Sequence, residues 1–256
     1  MTPRLPTAFL TAAIAHRALH DISQRRPENS RAAIRAAVAA GYGIEIDLQL
    51  TADAQALVFH DYDLTRLTDK TGPVRQLTAA ETRQISLKHG DGETIPTLPE
   101  VVDIVAGQVP LLIEIKDQDG GMGPDIGPLE RATAAALRGY RGPVAVMSFN
   151  PHSVDRMAEL VPELPRGLVT CGFDPAEWPL PVTTCERLRE VPDFDAAKAS
   201  FISHDKDDLA SPRVAELREA GAPVLCWTIR SPIDEAEARR FADNVTFEGY
   251  LPPLPG

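Results

Sequence analysis

Two short charged motifs combine residue types and a spacing that could do chemistry. They are Glu45-Ile46-Asp47, inside the apolar run GIEIDLQL, and Glu114-Ile115-Lys116, inside PLLIEIKD. Side chains alternate faces along a β-strand, so the two outer residues of each motif point the same way. Three carboxylates directed into a common space beside one ammonium group are costly without a cation. The pattern therefore predicts a hard divalent metal held by carboxylate oxygens, from Glu45, Asp47 and Glu114.

The elements that must position these motifs alternate regularly along most of the chain. Short apolar runs predict strands at residues 12–15, 43–48, 111–115, 144–148, 167–170, 201–203, 224–228 and 245–247. Helix-like segments lie between them at residues 30–40, 98–105, 127–137, 151–160, 185–189, 212–220 and 233–241. Strands that are mostly followed by helices predict an α/β fold, an eight-stranded parallel (β/α) TIM barrel enclosed by helices.

One region between the second and third predicted strands interrupts this alternation. It begins with a hairpin-like strand (ALVFHD) and continues through loop signals, a short helix predicted at residues 78–85 and a polar Gly/Asp turn. We therefore predict that residues 61–96 form a small inserted subdomain over the mouth of the barrel. Residues 1–256 are predicted to form a single barrel domain, which is a routine size for this fold.

Further polar side chains mark the ends of other predicted strands. His16 and Arg17 follow the first strand, and His60-Asp61 ends the added hairpin after the second. The sixth, seventh and eighth strands end near His204, Trp227 and Glu248. In barrels of this type the active site lies where strands end and loops begin. The convergence of these residues therefore predicts an enzyme.

This collection of side chains suits an anionic phosphorus substrate. The forked guanidinium of Arg17 can grip a phosphate, and Lys116 adds a point charge. A divalent metal would bind a phosphoryl oxygen and offset the charge that develops in the transition state. Two histidines can serve as general acid and general base, because the imidazole pKa lies near neutrality.

Six segments occur in order from about His16 to Trp227. They are IAHRALHDISQRRPENS, GIEIDLQLTADAQALVFHDYDLTRLT, IPTLPEV, LLIEIKD, VMSF and VLCWTI. As a set they resemble the glycerophosphodiester phosphodiesterase family. The resemblance implies a barrel with an inserted subdomain and a divalent metal, commonly Mg²⁺ or Ca²⁺. It also implies hydrolysis of glycerophosphodiesters, which are small-molecule substrates, to glycerol 3-phosphate and an alcohol.

The resemblance implies roles for individual residues. By motif, these are the acid–base pair His16 and His60, the phosphate contacts Arg17 and Lys116, and the metal ligands Glu45, Asp47 and Glu114. In the implied mechanism, one histidine activates the glycerol 2-hydroxyl to attack phosphorus, and the other protonates the leaving alcohol. Water then opens the cyclic phosphate with the roles reversed. The resemblance does not decide which histidine takes which role.

At three places the chain departs from the family pattern. Ala18 stands where the family usually has Gly after His-Arg, and Asp53-Ala54 replaces an Asp-Gly turn. Alanine is unfavourable at such places if the backbone needs a positive φ. Near the C-terminus, NVTFEGYLP replaces an Asp followed shortly by Pro, and Glu248 is the candidate to stand in for that Asp.

Several of these residues also have simpler interpretations. Glu114 and Lys116 can form an internal salt bridge, and Arg17 can pair with a carboxylate of the second strand. Trp227 can be a wall that faces glycerol or a core residue. Asn29 is predicted to cap the first helix. Glu28 is expected either to orient Arg17 or to lie near the phosphate, and Asp61 either to orient a neighbour or to cap a loop.

Two other functions compete with the one that the resemblance implies. A lipid-directed, lysophospholipase D-like phosphodiesterase of the same superfamily needs an apolar entrance, and the insertion here is mostly polar. A non-catalytic barrel that binds a phosphometabolite would not need both histidines and all three candidate ligands.

Composition excludes several classes of protein. The net charge of −11 argues against nucleic-acid binding, which needs a basic face. Three widely spaced cysteines without a CxxC motif argue against a zinc site or a disulfide framework. No apolar run approaches the roughly 18 residues of a membrane span. The N-terminal apolar stretch predicts a first strand rather than a signal peptide, and we predict a cytoplasmic protein.

Overall fold

In the computed structural model, which describes residues 2–254, the β-strands form one sheet that closes into a barrel. The strands are β1 (Ile14–Ala15), β2 (Gly43–Leu50), β3 (Ala56–Val58), β4 (Leu111–Ile115), β5 (Val144–Ser148), β6 (Arg166–Thr170), β7 (Phe201–Asp205), β8 (Val224–Ile229) and β9 (Asn244–Phe247). All except β3 pair in parallel, and the pairing of β1 with both β9 and β2 closes the circle. The predicted eight-stranded parallel barrel is confirmed.

Helices join the consecutive barrel strands. They are α1 (Arg31–Ala40), α2 (Ala79–Thr82), α3 (Leu98–Val105), α4 (Pro128–Ala136), α5 (Pro151–Leu160), α6 (Val182–Arg189), α7 (Pro212–Glu219) and α8 (Pro232–Ala238). The short α2 and α3 both lie in the connection from β2 to β4, and each of the other connections contains one α-helix. None of the helices within residues 2–254 has the length and apolar character needed to cross a membrane.

The start of α1 differs from the prediction in one residue. Ser30, not Asn29, caps the helix, because the Ser30 hydroxyl oxygen accepts a hydrogen bond from the Ala33 N–H at 3.1 Å. Asn29 lies one residue earlier with a positive φ of 58°, and its amide reaches Asp47 on β2 instead. Gly41 ends the helix in the left-handed conformation.

Apolar side chains fill the inside of the barrel as well as the space between strands and helices. The interior cluster includes Leu112, Phe201 and Leu225. Phe9, on a 3₁₀ helix that precedes β1, is fully buried in this cluster. Its carbonyl oxygen accepts a hydrogen bond of 2.8 Å from the Asn244 amide at the amino end of β9. The N-terminal segment therefore closes that end of the barrel. The three cysteines are buried free thiols.

The register of β2 against β4 sets the direction of the charged motifs. Glu45 lies opposite Leu112, and Asp47 lies opposite Glu114. Because Leu112 packs inside the barrel and side chains alternate along a strand, Glu45, Asp47 and Glu114 also point inward. Glu114 is the penultimate residue of β4, and Asp47 pairs with it, so the motifs lie near the carboxyl end of β4, where barrels of this type place their functional groups.

The chain between β2 and α3 leaves the regular alternation of strand and helix. β3 pairs antiparallel with β2 and confirms the hairpin, while the predicted helix at residues 78–85 shortens to Ala79–Thr82. This region has an apolar cluster of its own, formed by Leu57, Phe59, Leu64, Val74, Ile85, Leu87 and Ile95. The Tyr62 hydroxyl donates a hydrogen bond of 2.8 Å to the Asp117 carbonyl oxygen, beyond β4.

Replacement of Ala54 by glycine is expected to stabilise the protein. Ala54 lies in the turn between β2 and β3 with φ of 57° and an exposed side chain, so its Cβ contributes strain without packing. Relief of left-handed strain is worth about 1–2 kcal/mol, and the greater freedom of glycine in the unfolded chain offsets about 0.4–1 kcal/mol of it. Urea denaturation should show a net gain in the free energy of unfolding.

The matched control for this experiment is Ala52→Gly in the same turn. Ala52 is also exposed, but its backbone lies outside the left-handed region, so the glycine should only destabilise. A loss of stability in both variants would contradict the assignment of strain to Ala54.

Candidate active site

Three buried carboxylates meet inside the barrel. Glu45, Asp47 and Glu114 each offer one oxygen, and these oxygens lie within 4.8 Å of one another. We call these three residues the carboxylate cluster. Glu45 Oε2 accepts a hydrogen bond of 2.8 Å from the Arg17 backbone N–H, and Asp47 Oδ2 accepts one of 2.9 Å from the Asn29 amide. Glu45 Oε1 is buried and finds no hydrogen-bond partner within residues 2–254.

Lys116 lies against two members of the carboxylate cluster. Its Nζ is 2.7 Å from Asp47 Oδ1 and 2.7 Å from Glu114 Oε1, which confirms the internal salt bridge considered from sequence. Burial alone would lower the pKa of Lys116, but these two carboxylates raise it above its usual range. Lys116 therefore stays charged and neutralises part of the cluster.

The chemistry of the carboxylate cluster fits a hard divalent cation. Burial, followed by repulsion from Asp47 and Glu114, raises the pKa of Glu45 well above its usual range. A nearby divalent charge would favour the ionised carboxylate and would give the unpartnered Glu45 Oε1 a partner. Oxygen donors of this kind are the ligands that Mg²⁺ and Ca²⁺ prefer.

The segment after β1 presents His16 and Arg17 beside the carboxylate cluster. The His16 backbone N–H donates to the Phe247 carbonyl at 2.9 Å, and the Ala18 N–H donates to the Glu45 carbonyl at 2.9 Å. Arg17 and Ala18 have positive φ values of 51° and 64°, which explains why glycine is favoured at position 18. These two hydrogen bonds fix the turn after β1 against β9 and β2, the strands on either side of β1.

His16 is held by a carboxylate from the far end of the chain. Its Nδ1 lies 2.6 Å from Glu248 Oε2. Burial lowers the pKa of His16, and the hydrogen bond to Glu248 opposes this. The hydrogen bond from His16, with the His20 ring nearby, in turn holds the pKa of Glu248 well below its usual range. The ionised Glu248 carboxylate can only accept, so the proton of neutral His16 lies on Nδ1.

His60 reaches the same site through the hairpin. The Phe59 N–H donates to the Asp47 carbonyl at 2.9 Å, and the buried Gln49 amide donates to the His60 carbonyl at 3.0 Å. His60 Nδ1 lies 2.6 Å from Asp61 Oδ1, so Asp61 orients its neighbour as predicted. Both candidate catalytic histidines thus have Nδ1 bound to a carboxylate.

An ion-pair chain connects Arg17 to the His60 side of the site. Arg17 Nη1 donates to Glu28 Oε1 at 2.9 Å, which confirms the predicted orienting contact. Both oxygens of Glu28 accept from Arg66, which also donates to both oxygens of Asp61 at 2.6 and 2.7 Å. The sequence analysis did not identify Arg66, because it lies in a loop, where no strand or helix periodicity indicates which way a side chain points.

The two remaining candidates from the strand ends differ in their surroundings. Trp227 is half-buried on β8; its Nε1–H donates to the Ser203 carbonyl at 3.0 Å, so the ring can offer only an aromatic surface. His204 is buried, with one ring nitrogen 2.7 Å from the Thr170 hydroxyl and the other 3.1 Å from Asp208. Both nitrogens of His204 are therefore engaged away from the carboxylate cluster.

Comparison with known proteins agrees with the resemblance seen in the motifs. The model of the Glycerophosphoryl diester phosphodiesterase family matches residues 16–246. A glycerophosphodiester phosphodiesterase of Caldanaerobacter subterraneus subsp. tengcongensis is 35% identical over 173 residues, which cover 64% of this chain and 68% of the relative. A putative glycerophosphodiester phosphodiesterase of Bacillus subtilis, YhdW, is 34% identical over 165 residues, which cover 61% of this chain and 65% of the relative.

A solved structure extends the similarity to nearly the whole chain. The phosphodiesterase of Oleispira antarctica, in complex with the product sn-glycerol-3-phosphate, is similar with a TM-score of 0.77 at 25% identity and 94% coverage of both chains. Fold and similarity together define an α/β-barrel enzyme of the phosphoric diester hydrolase class. The chain belongs to the glycerophosphoryl diester phosphodiesterase family.

Proposed function

We propose that this protein hydrolyses glycerophosphodiesters to glycerol 3-phosphate and an alcohol, with Mg²⁺ or Ca²⁺ bound by Glu45, Asp47 and Glu114. The observation that carries the proposal is the buried carboxylate cluster with an unpartnered oxygen, beside two histidines that are each held by a carboxylate. Membership of the family and the product bound by the Oleispira antarctica relative support the substrate class.

We assign Arg17 and Lys116 to the phosphate of the substrate. Glu28 fixes the Arg17 guanidinium from one side, so less side-chain freedom is lost when it grips an anion. Lys116 directly follows β4, and its ammonium lies against two of the proposed metal ligands. A phosphate bound beside the metal would meet this positive charge. When bound, the divalent ion supplies Lewis-acid stabilisation of the charge on a phosphoryl oxygen.

His16 and His60 form the acid–base pair of the proposed mechanism. With the proton on Nδ1 of a neutral ring, Nε2 is free to accept a proton; with both nitrogens protonated, Nε2 can donate one. One histidine takes the proton of the glycerol 2-hydroxyl as its oxygen bonds to phosphorus. The other gives a proton to the alcohol oxygen as its bond to phosphorus breaks. Water then opens the cyclic phosphate with the proton transfers reversed.

The inserted segment and Trp227 also have proposed roles. Residues 61–96 act as an inserted subdomain over the barrel mouth and contribute Arg66 to the ion-pair chain. The single barrel domain predicted for residues 1–256 includes termini that lie outside the described residues 2–254. Trp227 provides an aromatic wall for the carbon face of glycerol, a surface consistent with its half-buried ring. The cytoplasmic location stays a prediction from the sequence.

Removal of divalent metal is expected to abolish the activity. Purified protein is treated with EDTA, and turnover of two glycerophosphodiesters, glycerophosphocholine and glycerophosphoethanolamine, is followed before and after Mg²⁺ or Ca²⁺ is restored. Because the metal carries the charge that develops on the phosphoryl oxygen, both substrates should lose turnover together and regain it together. Activity that survives thorough chelation would remove the metal from the mechanism.

Two further assays test the competing functions. Detergent-dispersed lysophospholipid is compared with soluble glycerophosphodiesters at equal concentration, and the soluble substrates should be preferred. A clear preference for the lysolipid would favour the lipid-directed alternative. Glycerophosphocholine that binds but stays intact in the presence of metal would favour the non-catalytic barrel.

A further inference from the structure

We infer that Glu248 is the positioning residue for His16: it holds the His16 Nδ1–H and so aims Nε2 at the reacting phosphodiester. The inference deepens the proposed function and rests on it, because it assumes that His16 belongs to the acid–base pair. The sequence left the role of Glu248 open.

The backbone on both sides of the Glu248–His16 contact is fixed. Glu248 directly follows β9, and its N–H donates to the Ile229 carbonyl at 2.9 Å. The preceding residue, Phe247, accepts the His16 backbone N–H at 2.9 Å. The dipeptide Phe247-Glu248 therefore binds both the backbone and the side chain of His16, and the ring has little freedom to turn.

Both oxygens of the Glu248 carboxylate are occupied. Oε1 accepts from Arg230 Nε at 2.8 Å, while Oε2 lies 2.6 Å from His16 Nδ1 and 3.6 Å from His20 Nε2. Arg230 is largely exposed, so it braces the carboxylate from the solvent side. A carboxylate fixed at one oxygen can hold an imidazole at the other in one orientation and one tautomer.

The arrangement repeats the one at His60. Asp61 binds His60 Nδ1 at 2.6 Å with one oxygen and is braced by Arg66, as Glu248 is braced by Arg230. The two pairs differ in origin: Asp61 is the next residue in the chain, whereas Glu248 comes from the opposite terminus. Two histidines with the same carboxylate–arginine support match an acid–base pair that must exchange roles between the two steps.

A double-mutant cycle with the metal-loaded enzyme separates positioning from a general structural role. Glu248→Ala should lower kcat for glycerophosphocholine by about 10–100-fold, by analogy with the loss of a partner that orients a metal-ligating histidine, with little change in KM. In a His16→Ala background the same substitution should cost nothing further, because residues that act as a unit are non-additive. Added formate should restore part of the kcat of Glu248→Ala, because it can occupy the vacated carboxylate position.

The control is Glu237→Ala, at an exposed glutamate on α8 away from the site, which should leave kcat and formate response unchanged. Metal affinity, measured by calorimetry, should be equal in the wild type and in Glu248→Ala. The inference is overturned if Glu248→Ala costs the same factor with and without His16, if formate has no effect, or if metal affinity falls. Near-normal activity of His16→Ala alone would instead overturn the role of His16 in the proposed function.

Discussion

Replacement of His60 by alanine is expected to lower kcat for glycerophosphodiester hydrolysis by about 10²–10⁴-fold, the usual contribution of a general acid–base group. His60 is only half-buried, and its ring hydrogen bond goes to the adjacent Asp61, so the fold should tolerate the loss. The rate is measured with glycerophosphocholine under saturating metal, and the fold is checked by circular dichroism and thermal unfolding.

His152→Ala is the matched control for the His60 variant. His152 is exposed in the first turn of α5, where its imidazole has no part in the carboxylate cluster, so this variant should retain wild-type kcat. A His60→Ala enzyme that is folded and works at a near-normal rate would exclude His60 from the mechanism.

Replacement of Glu45 by glutamine is expected to separate stability from activity. Without metal, the substitution removes one of three buried carboxylates that repel one another, so the free energy of unfolding should stay equal or rise. With metal at a hundred times its Kd, the wild type should gain about 2.7 kcal/mol of stability that the variant largely lacks. Activity should fall together with metal affinity. The loss should exceed about 10–100-fold, which is the usual cost of removing a residue that only supports a metal ligand.

The control for Glu45→Gln is Glu130→Gln, at a fully buried glutamate outside the carboxylate cluster. Glu130 accepts hydrogen bonds from the Gly127 N–H and the Ser153 hydroxyl, so its amide variant should lose stability with and without metal alike. Thermal unfolding across a metal titration distinguishes the two patterns. A Glu45→Gln protein that is still stabilised by metal to the wild-type extent would contradict the assignment of Glu45 as a ligand.

Local sequence patterns are sufficient to predict the barrel and the direction in which the side chains of the charged motifs point. Strands with buried runs and helices with clear ends alternate over most of the chain, and each is specified by residues close in sequence. The period of two along β2 and β4 is also local, so Glu45 and Asp47 could be placed on one face before their neighbours were known. The salt bridge of Lys116 follows from the same periodicity.

Contacts between distant segments set the limits of that prediction. Asn29 has the residue type of a helix cap, yet its amide binds Asp47 on β2 and leaves the cap to Ser30. The pairing of His16 with Glu248 joins residues 232 positions apart. No local pattern encodes such a contact, since it depends on β1 and β9 meeting when the barrel closes.

Irregular segments were also poorly predicted in detail. Arg66 lies between β3 and α2 in a loop whose composition indicated only that it is polar, yet it donates to both Glu28 and Asp61. Loop geometry follows from turn hydrogen bonds and from the small apolar cluster beneath it, which single residues do not specify.

The central claim, that Glu45, Asp47 and Glu114 share one ion, is tested most directly by a crystal structure with metal and glycerol 3-phosphate. Anomalous scattering from Mn²⁺ or Ca²⁺ locates the ion independently of the protein coordinates. We predict one anomalous peak at coordination distance from all three carboxylates and from a phosphate oxygen, with Arg17 and Lys116 on the phosphate. Phosphate bound without such a peak, and Lys116 still bridging Asp47 and Glu114, would contradict the account.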